Sequence, residues 1–152
     1  METAFIQSPL GITKIVGDEN GIAVISILSE GELTKKIPKQ LQECVDQLQE
    51  YFEGQRRDFD FKLNPQGTDF QQKVWQELVN IPFGKTMSYL DLSKKLGDVK
   101  AIRAVASANG KNPLWIVVPC HRVIGTDGSL TGYAGGLWRK KWLLEHENPT
   151  TQ

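Results

Sequence analysis

"SYLDLSKKLGDVKAIRAVASANG", residues 88–110, decides how the second half of this chain folds. Ser88 is a residue type that accepts from the unpaired amides of a first helical turn, so a short helix "YLDLSKKLG" is expected behind it. "DVK" then turns the chain into a second helix, "AIRAVASANG" (101–110). Two short helices joined by a tight turn make a helix-turn-helix pattern. On the second helix Ala101, Ala104 and Ala108 fall at i, i+3 and i+7, with Ser107 beside them, giving a face of small residues. One reading is close packing against another helix. The other is close approach to DNA through backbone and shape, because a helix that reads base edges carries Asn, Gln, Arg or Lys and this one offers mainly Arg103. Arg103 is open to two readings as well: a surface arginine without special role, or a side chain that fills the space left by an extruded base.

Downstream, "PLWIVVP" reads as a buried strand and runs into "VVPCHRVIG" (117–125), which sets Cys120, His121 and Arg122 side by side behind Pro119. A structural cysteine needs no such neighbours, whereas a thiolate nucleophile is generated by a base or by nearby positive charge. In an extended strand Cys120 and His121 would point to opposite faces, so they cooperate only if the chain turns there. The adjacency argues against a papain-like dyad, and no second Cys or His stands at zinc-ligand spacing. "IGTDGSL" is expected to be a hairpin with Asp127-Gly128 at its tip, and "GLWRKKWLLEHE" a closing amphipathic helix.

Upstream, Thr68 and Gln71 form a capping box for a helix whose apolar face is Phe70, Val74, Trp75 and Leu78, broken by "PFGK" at 82–85. The first 30 residues read as three strands around the turns "PLG" and "ENG". From Pro38, Leu41, Val45, Leu48 and Phe52 mark one helical stripe that Gly54 ends. "DFDFKL" (58–63) alternates and is expected to be a strand, and "NPQG" (64–67) a linker.

The 152 residues suit one domain or two small packed ones, with 39% hydrophobic and 24% charged content. No apolar run reaches the roughly 18 residues of a membrane span. The start lacks the basic and apolar regions of a signal peptide. Two cysteines, Cys44 and Cys120, make no disulfide framework, so a reducing, cytoplasmic setting is expected, with Cys44 structural. The net charge is zero, but it is unevenly spread. Residues 1–83 carry 8 basic against 13 acidic side chains, and residues 84–152 carry 10 against 5. A basic C-terminal face for an anionic partner is one account of this asymmetry, chance the other.

The run from Asn112 to Glu147, with "IPFGKTMSY" and "AIRAVASANG" ahead of it, closely resembles the O6-alkylguanine-DNA alkyltransferases. Pro119 to Val123, Pro-Cys-His-Arg-Val, is the most specific part. The match is strong over 68–147 and looser over the N-terminal part, where "SPLG" and "YFEG" carry it. The resemblance implies an α/β, ribonuclease-H-like N-terminal domain over 1–65, packed on a mainly α, winged helix-turn-helix domain over 66–152. It implies direct DNA repair by irreversible, single-turnover transfer of the alkyl group from O6-alkylguanine to Cys120 after base flipping. O4-alkylthymine is left open as a second substrate.

Residue by residue, the resemblance makes Cys120 the acceptor, His121 its base through a water, and Glu147 the group that orients the histidine. Asn112 would brace the active-site turn, and Tyr89 would hydrogen-bond the flipped guanine and assist its departure. The backbone of Cys120 and Val123 would accept from the guanine amino group, and Tyr133–Ala134 would cover the base. Arg103, Ala104, Ser107 and Ala108, with Tyr89, would meet double-stranded DNA from its minor groove, one protein chain acting as a monomer. Neither a cofactor nor a metal is implied. Trp115 stands where several relatives carry a smaller residue, so a reshaped pocket is expected. A non-transferring lesion binder and a cysteine hydrolase are the alternatives; the presence of Cys120 argues against the first.

Overall fold

The computed structural model describes residues 1–133 and 135–149, which cluster into two compact units. The first comprises residues 1–66 with 113–115, the second 67–112 with 116 onward.

In the first unit β1 (Glu2–Ser8), β2 (Gly11–Asp18) and β3 (Gly21–Leu28) form an antiparallel sheet in chain order. Ala4 and Ile6 of β1, Ile12 and Ile15 of β2, and Ile22 and Ile25 of β3 are buried, and a register irregularity falls between Val16 and Gly17. Helix α1 (Lys39–Phe52) packs on β1 and β2. Its buried stripe is Leu41, Cys44, Val45, Leu48 and Tyr51, so Tyr51 rather than Phe52 closes it. Leu41 and Leu48 are fully buried, each contributing roughly 2 kcal/mol of apolar transfer.

The alternating run 58–63 is not a strand. Only Leu63 bridges Ile22, because the Gln47 side chain on α1 takes the Asp60 amide that a strand partner would otherwise use. Phe59 and Phe61 instead extend an aromatic cluster from Tyr51. Gly21 sits at φ +126°, where a Cβ would stand 3.0 Å from the Lys62 carbonyl oxygen, so the 62–64 segment can lie against it only because no side chain intervenes. Nor is 113–119 a strand. Leu114 pairs with Ile25 for one bridge, with Pro113 and Trp115 bonded to the Ile25 backbone, and Ile116 then takes φ +72° and turns the chain.

The second unit is mainly helical. α2 (Asp69–Val79) starts at the Thr68–Gln71 capping box and buries Val74, Trp75 and Leu78, whereas Phe70 is exposed. β4 (Met87–Ser88) leads into α3 (Tyr89–Lys95), capped by Ser88. A short 3-10 turn, Val99–Ala101, joins it to α4 (Ile102–Gly110), which packs on both α3 and α2. The indole of Trp75 ties α2 to α4 through the Ala108 carbonyl at 2.9 Å. β5 (Val123–Ile124) pairs in parallel with β4, Met87 opposite Val123, and this register brings the start of α3 alongside the segment that follows Cys120. The expected hairpin at 124–130 is therefore only a turn: Gly125 bonds Ser129, Asp127 caps Ser129, and β5 takes its partner from β4 instead. α5 (Leu137–Glu147) closes the chain. Among the described residues no helix is long and apolar enough to cross a membrane.

Candidate active site

Pro119 ends the buried run, and Cys120–Arg122 form one 3-10 turn. The turn satisfies the condition that adjacency imposes on Cys120 and His121, since side chains no longer alternate across a strand. Cys120 donates its amide to the Val118 carbonyl at 2.8 Å, and Asn112 Nδ2 donates to that same carbonyl at 2.7 Å. Asn112 thus braces the residue two positions before the cysteine.

α5 supplies the other wall. Lys140, Leu143 and Glu147 recur on its buried stripe, so this helix turns two ionisable side chains inward. Glu147 accepts from His121 Nε2 at 2.7 Å and from Arg122 Nε and Nη2 at 2.7 and 3.0 Å. Arg122 spends its remaining arm on the Ile81 carbonyl, 2.7 Å away. Burial works against the Glu147 carboxylate, but the hydrogen bond from His121 and the hydrogen bonds and charge of Arg122 outweigh it and hold its pKa well below the usual range.

His121 is fully buried, and burial, against the pull of Glu147, lowers its pKa. The ring is neutral at pH 7. An ionised Glu147 can only accept, so Nε2 carries the ring proton and Nδ1 is the basic nitrogen. That Nδ1 has no hydrogen-bond partner among the described residues. Burial also raises the Cys120 pKa, opposed by a hydrogen bond from Asn112, by the Lys140 charge and by the Tyr133 side chain. The ammonium of Lys140, out of contact with water, donates to the Val123 carbonyl at 2.6 Å and the Thr131 carbonyl at 3.0 Å. It lies 6.0 Å from the ring centres of Tyr89 and Tyr133.

A cleft of about 680 Å³ opens beside this cluster, lined by Tyr89, Ile102, Arg103, Ala106, Thr131 and neighbouring glycines among others. Tyr89 belongs to both regions: it lines the cleft, and its hydroxyl stands 3.4 Å from the Asn109 amide that also faces the Cys120 carbonyl, while burial raises the phenol pKa. On α4, Arg103, Ala104 and Ser107 are exposed, but Ala108 is buried at 3% exposure under the Trp75 indole, so it is not part of the outward face. The small residues of α4 are thus divided, Ala104 and Ser107 facing outward and Ala108 packed inward. Tyr133 is half-buried next to Lys140. Ala134 lies outside the described residues. Trp115 belongs to the first unit, its ring against Phe52 at 6.4 Å, and does not line this cleft.

Sequence reading missed Lys140 and Asn109. Lys140 was legible as the partner of Leu143 and Glu147 at i+3 and i+7. Asn109, one residue past Ala108 on the inner side of α4, carried no comparable signal.

Two family models match the chain: the 6-O-methylguanine DNA methyltransferase ribonuclease-like domain over residues 1–65, and the DNA-binding domain of the same enzyme over 69–149. A methylated-DNA–protein-cysteine methyltransferase of Methanosarcina acetivorans is 43% identical, over 97% of this chain and 98% of that one. Its namesake in Mycobacterium tuberculosis is 44% identical over 93% and 89%. The crystal structure of Mycobacterium tuberculosis OGT in complex with DNA superimposes with a TM-score of 0.90 at 43% identity, covering 98% of this chain and 94% of that one. An O6-methylguanine DNA methyltransferase from Methanococcus jannaschii gives 0.70 at 29% identity, covering 94% and 92%. With both halves matched and relatives this similar over nearly the whole length, the chain belongs to the methylated-DNA–protein-cysteine methyltransferase family.

Proposed function

We propose that this protein repairs alkylated DNA directly, taking the alkyl group of O6-alkylguanine onto Cys120. The observation that carries the reading is the position of Tyr89, which lines the cleft beside α4 while its hydroxyl shares the Asn109 amide with the Cys120 carbonyl, each at 3.4 Å. A base entering that cleft meets a proton donor and a nucleophile together. Displacement at a saturated carbon calls for a soft nucleophile, and thiolate is the best one a side chain offers. His121 Nδ1 takes the thiol proton through a water, Glu147 stabilises the resulting imidazolium, and Lys140 favours the thiolate. The sulfur–carbon bond forms as the carbon–O6 bond breaks, and guanine leaves with a proton. The product is a thioether, so each chain acts once.

A base paired in the stack is unreachable, so the nucleotide is extruded at a cost of a few kcal/mol. Arg103, exposed at the rim of the cleft, is the side chain positioned to fill the gap. Ala104 and Ser107 form the slim surface that approaches the minor groove. The carbonyls of Cys120 and Val123 accept from the guanine amino group, and Tyr133 covers the base. Residues 1–65 serve as the N-terminal domain and 66–152 as the DNA-binding and transfer domain, one chain working alone in a reducing cytoplasm.

The deciding experiment is intact mass after incubation with duplex DNA containing O6-methylguanine. One methyl group per chain, on Cys120 and absent from Cys120→Ser, is expected. Many turnovers per chain, or label on Cys44, overturns the reading.

A further inference from the structure

Among the described residues, the buried side-chain amide of Asn109 touches both Tyr89 and Cys120, the two partners of the transfer step. It is 2% exposed near the C-terminal end of α4, and its Nδ2 stands 3.4 Å from the Tyr89 hydroxyl and 3.4 Å from the Cys120 carbonyl oxygen. Its Oδ1 is buried with no partner among the described residues. An apolar side chain of similar size would fill this position without leaving a polar atom unpaired, so the amide calls for a reason.

The contact with Cys120 fixes which way the amide faces. A carbonyl oxygen only accepts, so the atom facing it is the nitrogen and not the oxygen. The same nitrogen faces the Tyr89 hydroxyl, and a primary amide carries two protons and no acceptor on nitrogen. The phenol oxygen is therefore the acceptor in that contact, and its own single proton points away from Asn109. The other side chain that hydrogen-bonds the hydroxyl, Thr131, itself lines the cleft, so the phenol proton is directed to that side.

We infer that Asn109 is a positioning residue for the transfer reaction, which by donating to the Tyr89 oxygen aims the phenol proton into the cleft at the departing guanine. This rests on the function proposed above and deepens it. A donor on the phenol oxygen also makes the phenol the more willing to part with its own proton, and Asn109 indeed pulls the Tyr89 pKa down against burial. Both contacts are long, as catalytic hydrogen bonds are before substrate tightens them. The second proton of the amide, on the Cys120 carbonyl, ties the direction of the phenol to the position of the nucleophile.

The test compares two free-base substrates in wild type, Asn109→Leu and Asn109→Ser. One is O6-benzylguanine; the other is the same compound with an electron-withdrawing 8-substituent, whose guanine leaves readily without help. Rates of Cys120 benzylation are read by mass. Asn109→Leu should slow the parent compound about tenfold and the activated one about twofold, because only the poorer leaving group depends on an aimed proton. The ratio of the two rates within one sample does not depend on the folded fraction, and Asn109→Ser, smaller and less disruptive, should show the same change of ratio. In a Tyr89→Phe background either substitution should leave the ratio unchanged. Equal slowing of both substrates, or a changed ratio that persists without the Tyr89 hydroxyl, would falsify the inference. Failure of wild type to take the methyl group from O6-methylguanine in duplex DNA would instead sink the proposed function.

Discussion

His121 and Glu147, 26 positions apart, meet at 2.7 Å with both side chains withdrawn from water. Arg122 closes the same carboxylate from the other side, so one acidic group neutralises the turn that carries the nucleophile. Removing one partner of such a buried set strands the others. Glu147→Gln should cost about 3–5 kcal/mol in urea unfolding. The acid limb carries its own signature. The folded pKa of Glu147 is depressed, so its contribution is complete above the ordinary value of 4.5 and drains away as pH falls below it. His121, also depressed, adds a decline that starts below 6.5, because only the unfolded chain then binds a proton there. Wild type should show both; Glu147→Gln should lack the step near 4.5, and retention of that step would place its origin elsewhere.

His121→Ala should change how alkylation depends on pH. Burial keeps Cys120 as a thiol. Without a base, the rate follows the thiolate fraction and rises about tenfold per pH unit below the thiol pKa. In wild type burial lowers the His121 pKa, so the ring is neutral and takes the proton throughout the neutral range, and the profile should flatten there. Parallel profiles in the two proteins, measured with O6-benzylguanine, would rule out the relay.

Arg103→Ala should separate extrusion from chemistry. Transfer from duplex DNA should slow roughly tenfold or more, since the few kcal/mol of unstacking lose their compensation. Transfer from the free modified base should barely change. A matching loss on both substrates would mean that Arg103 supports the fold of α4.

Lys140→Met should loosen the segment between β5 and α5. The substitution leaves the Val123 and Thr131 carbonyls without their donor, and a loss of roughly 2 kcal/mol is expected. Hydrogen exchange should quicken at residues 124–133 more than in α2. Uniform quickening would show a general loss of stability rather than a released latch.

Gly67→Ala tests the entry to α2. A Cβ there would stand 2.6 Å from Trp75 Cζ3 and closer still to Cη2. The indole must move, and with it the bond to Ala108 that joins α2 to α4. Overpacking of this kind costs about 1–3 kcal/mol, read as a lower urea midpoint; an unchanged midpoint would show that the ring yields freely.

What the sequence determined by itself is whatever is written in local chemistry. The turn signals at 9–11 and 19–21 set β1 to β3, the Thr68–Gln71 box and Ser88 placed two helix starts, and the Pro119–Val123 motif with its flanks marked the reactive cysteine. Each of these depends on residues a few positions apart, so turn signals and capping are enough. Tertiary structure decided the rest. Residues 58–63 and 113–119 have the composition of strands, but strands need partners, and Gln47 and the turn at Ile116 removed them. β5 paired with β4 rather than folding back on its own turn. Lys140 reads as one of a run of surface charges, yet two backbone carbonyls draw it inward. Asn109 looks like the end of a helix until Tyr89 and Cys120 arrive from other elements. Burying a charge or an amide is favourable only where distant groups satisfy it, and no window of sequence contains those groups.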